Sequence, residues 1–138
     1  MPYELTWLVE GRVVLGKFSG QLKEEDIPAF DELMLTHLNA GTGALVHHLA
    51  DLRELDSMPG LAGLSKFTYV KHPHMGWQIS FGLRRPLVKM VANIMSQVFK
   101  VRTRDFDTLE EALAFLQSVD ATLPDLREID PTRLTSRT

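Results

Sequence analysis

The residues of this 138-residue chain best suited to chemistry fall into three groups. The first is Asp51, Asp56 and Ser57, in the stretch ADLRELDSMPGL between the apolar runs ALVHHL and LAGLSKF. A serine beside a carboxylate has three readings: a hydroxyl that takes a modification, one half of a catalytic pair, or a helix cap. Short oxygen side chains accept well from the free N–H groups of a helix start. The second group is Arg84 and Arg85, just ahead of Pro86 and a helical pattern. Guanidinium forks beside free backbone N–H groups make an anion site. The plain alternative is solvated arginines, or ion pairs with Asp51 or Asp56, which are common and individually weak.

The third group is the histidines. His47 and His48 are neighbours in an extended pattern, so they face opposite sides of a strand. His72 and His74 share a face if their segment is extended, but no third ligand stands at a metal-binding spacing, and no metal site is expected. His37 lies on the apolar stripe of a helix and is expected to be packed. There is no Gly-x-Ser-x-Gly elbow, phosphate-binding glycine loop or dinucleotide fingerprint, and nothing in the sequence supplies Ser57 with a base. No catalytic residue and no cofactor are expected.

These residues depend on the elements that position them. Tyr3, Leu5, Trp7 and Val9 alternate with polar residues, as in a strand with one buried face. Glu10-Gly11-Arg12 predicts a tight turn, and residues 13–19 the second strand of a hairpin. Gly16 inside that strand marks a bulge or a close approach of backbone. From Lys23 the period changes: Ile27, Phe30, Leu33, Met34, His37 and Leu38 make an amphipathic helix with acidic residues in its first turn, ended by Gly41. Residues 44–50 read as a strand, 59–71 as a helix opened by Asp56-Ser57, and 77–83 as a strand. A helix from Pro86 carries Leu87, Val91, Ile94 and Val98 toward the sheet. Met90, Met95 and Phe99 widen that stripe, either into core or into a surface for an apolar ligand or a second subunit. Residues 100–106 form a strand with basic side chains at 100, 102 and 104 on one face. Thr108 and Glu111 are spaced as a capping box for the last helix. The order is β-β-α-β-α-β-α-β-α, which predicts a largely parallel, mixed five-stranded sheet with right-handed crossovers. Helices are expected mainly on one face, leaving the other partly open. In the carboxyl-edge loops of such a sheet, Asp51, Asp56, Ser57, Arg84, Arg85 and Asp107 would become neighbours.

Composition bounds the function. Hydrophobic content of 44% and charged content of 24% fit one globular domain with an ordinary core. A net charge of -3 argues against nucleic-acid binding through a basic surface. The absence of cysteine excludes disulfides and thiolate chemistry and allows a reducing cytoplasm, the expected location. No apolar run approaches the roughly 20 residues of a membrane span, and the first residues, MPYELTWLVEG, do not read as a signal peptide. Residues 120–138 form a tail in which Leu123, Leu126, Ile129 and Leu134 could dock on residues 1–119 or on a second subunit.

Two stretches carry a family resemblance. DLRELDSMPGL, residues 51–61, resembles the strand-end motif of STAS domains, as found in anti-sigma-factor antagonists, where Asp-Leu ends a strand and Asp-Ser-Ser-Gly-Leu opens a helix. RTRDFDTLEEALAFL, residues 102–116, resembles the closing strand and helix of SpoIIAA-like (STAS/Sec14-type) proteins. The resemblance covers residues 3–119 and implies a two-layer β-α superhelix. It implies a non-enzymatic protein-interaction or regulatory module binding a partner protein or itself; the wide stripe of the helix from Pro86 and the tail point to a homodimer. Sec14-type relatives imply the alternative, a small apolar or anionic, lipid-like ligand. The second serine of the motif is the family's phosphoacceptor; this chain has Met58 there, followed by Pro59, and Ser57 matches the serine before it.

Overall fold

The computed structural model describes residues 2–43, 45–83 and 102–129. The hairpin forms as the alternation predicts. Strand β1 (Tyr3–Val9) runs antiparallel to β2 (Val13–Gln21), with Tyr3 opposite Phe18 and Trp7 opposite Val14. The connection requires Gly11, whose φ of 72° lies where a side chain is disfavoured. Helix α1 (Ile27–Asn39) follows, then β3 (Val46–Ser57), the short α2 (Leu61–Leu64), β4 (Met75–Phe81), β5 (Thr103–Phe106) and α3 (Leu109–Val119). The sheet order is β1-β2-β3-β4-β5, and every pairing after the first is parallel. The helix expected from Pro86 to Val98 lies outside the described residues.

Local chemistry moves several boundaries. The acidic residues expected in the first turn of α1 form a separate 3-10 turn, Glu24–Asp26, in which the Asp26 carboxylate accepts from the Lys23 N–H at 2.8 Å. Gly41 does not end α1 in the left-handed conformation; Ala40 is the cap, and a side chain at Gly41 would meet Val46 Cγ2 at 2.4 Å. The helix expected over residues 59–71 shrinks to α2 and a 3-10 turn, Tyr69–Lys71. Asp31 of α1 explains the break. Its buried carboxylate accepts from the N–H groups of Thr68 and Tyr69, both at 2.8 Å, and from the Thr68 hydroxyl, so those donors serve the turn and not a helix. The cap of α3 is the one the spacing predicts: Thr108 Oγ1 accepts from the Glu111 N–H at 3.2 Å.

Two apolar layers sandwich the sheet. Adjacent parallel strands that step in one direction with right-handed crossovers place their helices on the same face, and α1 and α2 share one. There Ile27, Phe30, Met34, Leu38 and Leu64 pack on Val14, Phe18, Val46 and Ala50. The opposite face, expected to be partly open, is covered: Ala112 and Leu116 of α3, with Leu123 and Leu126 beyond it, pack on Val13, Leu15, Leu49, Ile79 and Phe81. Each fully buried side chain of this size contributes about 1.5–3 kcal/mol of transfer free energy. No helix among the described residues is long and apolar enough to cross a membrane.

Candidate functional site

The carboxyl end of β3 holds the first group of candidate residues. β3 pairs with β4 only as far as Asp51 opposite Phe81, while β2 accompanies it to the end, with Glu54 opposite Ser19, Leu55 opposite Gly20 and Ser57 opposite Gln21. The Ser57 carbonyl also accepts from the Leu22 N–H at 2.9 Å. Asp56 and Ser57 are therefore strand residues and do not open a helix. Met58, Pro59 and Gly60 separate them from α2, which begins at Leu61. Asp56 is exposed and Ser57 half-buried; Met58, at the position the STAS motif gives to its acceptor serine, packs partly against the first core layer. The signal for a longer strand is present in the sequence: Leu55, buried between Glu54 and Asp56, continues the alternation toward the proline.

Asp51 does not join Ser57. An extended strand rises about 3.3 Å per residue, so the two are separated by roughly 20 Å along β3. Asp51 is buried and grips Arg53 of the same strand face, accepting from Nε at 2.9 Å, from a terminal guanidinium nitrogen at 2.7 Å and from the backbone N–H at 3.1 Å. This hydrogen bonding pushes the Arg53 guanidinium above its ordinary value, and the group lies over the Phe81 ring, 5.2 Å from its centre. Nearby, Lys66 pairs with Glu24, tying the chain after α2 to the 3-10 turn before α1. Asp107 is exposed between β5 and α3. Arg84, Arg85, Met90, Met95 and Phe99 lie outside the described residues. Among the described residues no histidine or carboxylate hydrogen-bonds the Ser57 hydroxyl.

The neighbouring histidines face opposite ways, as strand geometry requires, and both are 1% exposed. His47 lies on the α3 side. Its Nδ1 accepts from the Trp77 N–H at 2.9 Å, so Nε2 carries the proton and donates to Asp120 Oδ2 at 2.9 Å. Arg12 reaches the same oxygen at 3.1 Å, and Thr122 donates its N–H to Oδ1 at 3.0 Å. Burial pushes the Asp120 carboxyl up, but the hydrogen bonds from Thr122 and His47 and the charge of Arg12 outweigh it and hold the group well below the usual carboxylate range.

His48 lies on the α1 side. Its Nδ1 is 2.8 Å from Gln78 Oε1, which also accepts from the Tyr69 hydroxyl at 2.8 Å. An amide oxygen only accepts, so the imidazole proton sits on Nδ1 and Nε2 is left as a bare acceptor without a partner. Burial, with a smaller push from His37, lowers His48 to about 4 against the opposing effect of the Gln78 hydrogen bond. Burial first, then the Asp31 charge, raises the Tyr69 phenol.

His72 and His74 do come together, with rings 5.2 Å apart, yet they are joined to the chain: His72 Nδ1 accepts from the His74 N–H at 3.0 Å, and Nε2 reaches Asn39 Oδ1 at 2.8 Å. Burial and His74 both lower His72. Among the described residues no group of three or more histidine and carboxylate side chains could hold a metal ion. His37 bonds the Leu33 carbonyl at 2.8 Å and meets the Trp7 ring edge-on. Sequence reasoning missed Asp31, Tyr69, Gln78, Asp120 and Thr122. Their partners are distant in the chain, and no spacing rule points to them.

No family model matches the sequence, and no curated protein matches it. Solved structures do share the fold. One is a DUF3478-family protein with a SpoIIAA-like fold from Shewanella loihica PV-4, 17% identical, aligned over 83% of this chain and 91% of its own with a TM-score of 0.59. Another is the anti-sigma factor antagonist SpoIIAA in its unphosphorylated form, 15% identical, aligned over 83% of this chain and 97% of its own with a TM-score of 0.53. This chain has a SpoIIAA-like, STAS-type fold.

Proposed function

We propose that this chain is a non-enzymatic, regulatory protein-interaction module of the cytoplasm. It binds a partner protein, or a second copy of itself as a homodimer, through the end of β3 and the start of α2. One observation carries this reading: Asp56 and Ser57 are the last residues of β3, beyond the reach of β4, at the carboxyl end of a sheet whose fold it shares with an anti-sigma factor antagonist. Ligand sites of open α/β sheets gather at that end. The internal engagement of His47, His48, Asp31 and Asp51 supports binding over catalysis.

The test is recovery of tagged protein, co-expressed with untagged protein in the native host and read by mass spectrometry. Replacing Asp56 and Ser57 together by Ala is expected to weaken the bound partner or the untagged copy by about tenfold or more, the effect of losing central contacts. A Lys71→Ala variant, at an exposed position of the 3-10 turn, keeps the interaction. If the double variant holds every partner as tightly as the parent chain, the reading is wrong.

A further inference from the structure

His48 has no role in that interaction surface, yet its surroundings are unusual for a titratable group. It stands in the central strand under α1, ringed by Phe18 of β2, Phe30 of α1 and Tyr69 of the 3-10 turn, with centres 6.4, 5.9 and 5.8 Å away. Below Nε2 is Gly16 of β2, where an added Cβ would lie only 2.5 Å from that nitrogen. No space for water remains between them. We propose that this cage is an acid-sensitive lock on the α1 layer: the layer stays closed while His48 is neutral and is released when the imidazole takes a proton.

The proton has one place to go. Nδ1 already carries hydrogen toward Gln78, so protonation falls on Nε2, the atom without a partner. The new N–H would point at the Gly16 backbone and the Leu5 and Phe18 side chains that enclose it. A buried charge with no acceptor is strongly unfavourable. The elements around the ring supply no relief. From α1 come Asp31, whose carboxylate is held by Thr68 and Tyr69, and His37, whose charge lowers the His48 value rather than supporting a proton there. The turn contributes the neutral Tyr69 phenol, β4 the neutral Gln78 amide, and β2 only Gly16 and Phe18.

The sign follows from linkage. The folded value of His48 lies near 4 and the opened one near the ordinary 6.5, so the opened state binds more protons between them. The closed layer is fully stable above the ordinary value and loses stability as pH falls toward the folded one. Each unit is a factor of ten, so by pH 4.5 the opening equilibrium rises by about fifty- to a hundredfold.

Amide hydrogen exchange of α1 at pH 7.0 and 4.5, corrected for the intrinsic rate, reads that change. The expected result is a rise of this size in the opening of α1 that disappears in His48→Leu and persists in His37→Gln. An equal rise in His48→Leu, or unchanged protection of α1 at pH 4.5 in the parent chain, overturns the proposal. Should His48→Leu not fold, the imidazole 13C resonance of His48 in the parent chain decides. Titration at an ordinary midpoint while α1 stays protected refutes the lock; titration together with loss of α1 protection upholds it.

Discussion

Two adjacent residues of one type, His47 and His48, end in opposite chemical situations because their strand turns them to different faces. His47 meets a backbone donor on one nitrogen and a carboxylate on the other. His48 meets aromatic rings and one amide oxygen. Burial is the same and the partners differ: both ring nitrogens of His47 are engaged, while Nε2 of His48 has no partner. Asp31 ties α1 to the 3-10 turn within the first layer. It satisfies two backbone N–H groups and one hydroxyl of a turn 37 and 38 positions away. Buried donors left without acceptors cost more than the bond itself contributed. Asp31→Ala is therefore expected to lower stability by about 2–4 kcal/mol in urea unfolding, and Asp31→Asn by less, because one acceptor oxygen survives.

Elements decide what those residues can reach. The length of β3 comes from β2, whose carboxyl end continues to pair with it after β4 has stopped. That pairing carries Asp56 and Ser57 out of a helix start and into a strand end. Between the same two strands, Gly16 leaves room for the Nε2 edge of the His48 ring. Gly16→Ala places a methyl 2.5 Å from Nε2 and 3.2 Å from Leu5 Cδ2 and Phe18 Cε2. Overpacking of this kind costs about 1–3 kcal/mol. In a His48→Ala background the methyl has room, so the cost is expected to shrink, with a coupling of about 1 kcal/mol or more in the double-mutant cycle. Additive losses would place the strain at Leu5 and Phe18 and not at the histidine.

At the scale of the molecule, the sheet is covered twice. α1 and α2 close one face; α3 and the segment after it close the other, pinned by the Asp120 carboxylate to His47 and Arg12. Leu126 is 2% exposed and sits in the second layer beside Leu123 and Leu116. Its 3-10 turn, Leu126–Glu128, is anchored when Gln117 accepts from the Leu126 N–H at 2.8 Å. Leu126→Ala is expected to cost about 2–5 kcal/mol, the usual range for a buried leucine, as a lowered thermal midpoint. A loss within ±0.5 kcal/mol, as at ordinary surface positions, would show that this segment is not part of the core.

The sequence by itself determined what depends on local periodicity and local chemistry. The alternation of Tyr3–Val9, the 3.6-residue stripe of α1, the turn at Gly11 and the Thr108 cap each act over a few residues. From their order the parallel sheet with its antiparallel hairpin follows. The opposite facing of His47 and His48 follows equally from the strand period. Tertiary structure alone decided how far β3 runs, why α2 is short, and which partner each buried polar group finds. Those outcomes rest on contacts such as Asp31 with Tyr69, His48 with Gln78 and His47 with Asp120, 38, 30 and 73 positions apart. A hydrogen bond across that distance leaves no period in the chain. It forms because two segments are pressed together by the burial of other residues, and only the folded layers define which polar groups then meet.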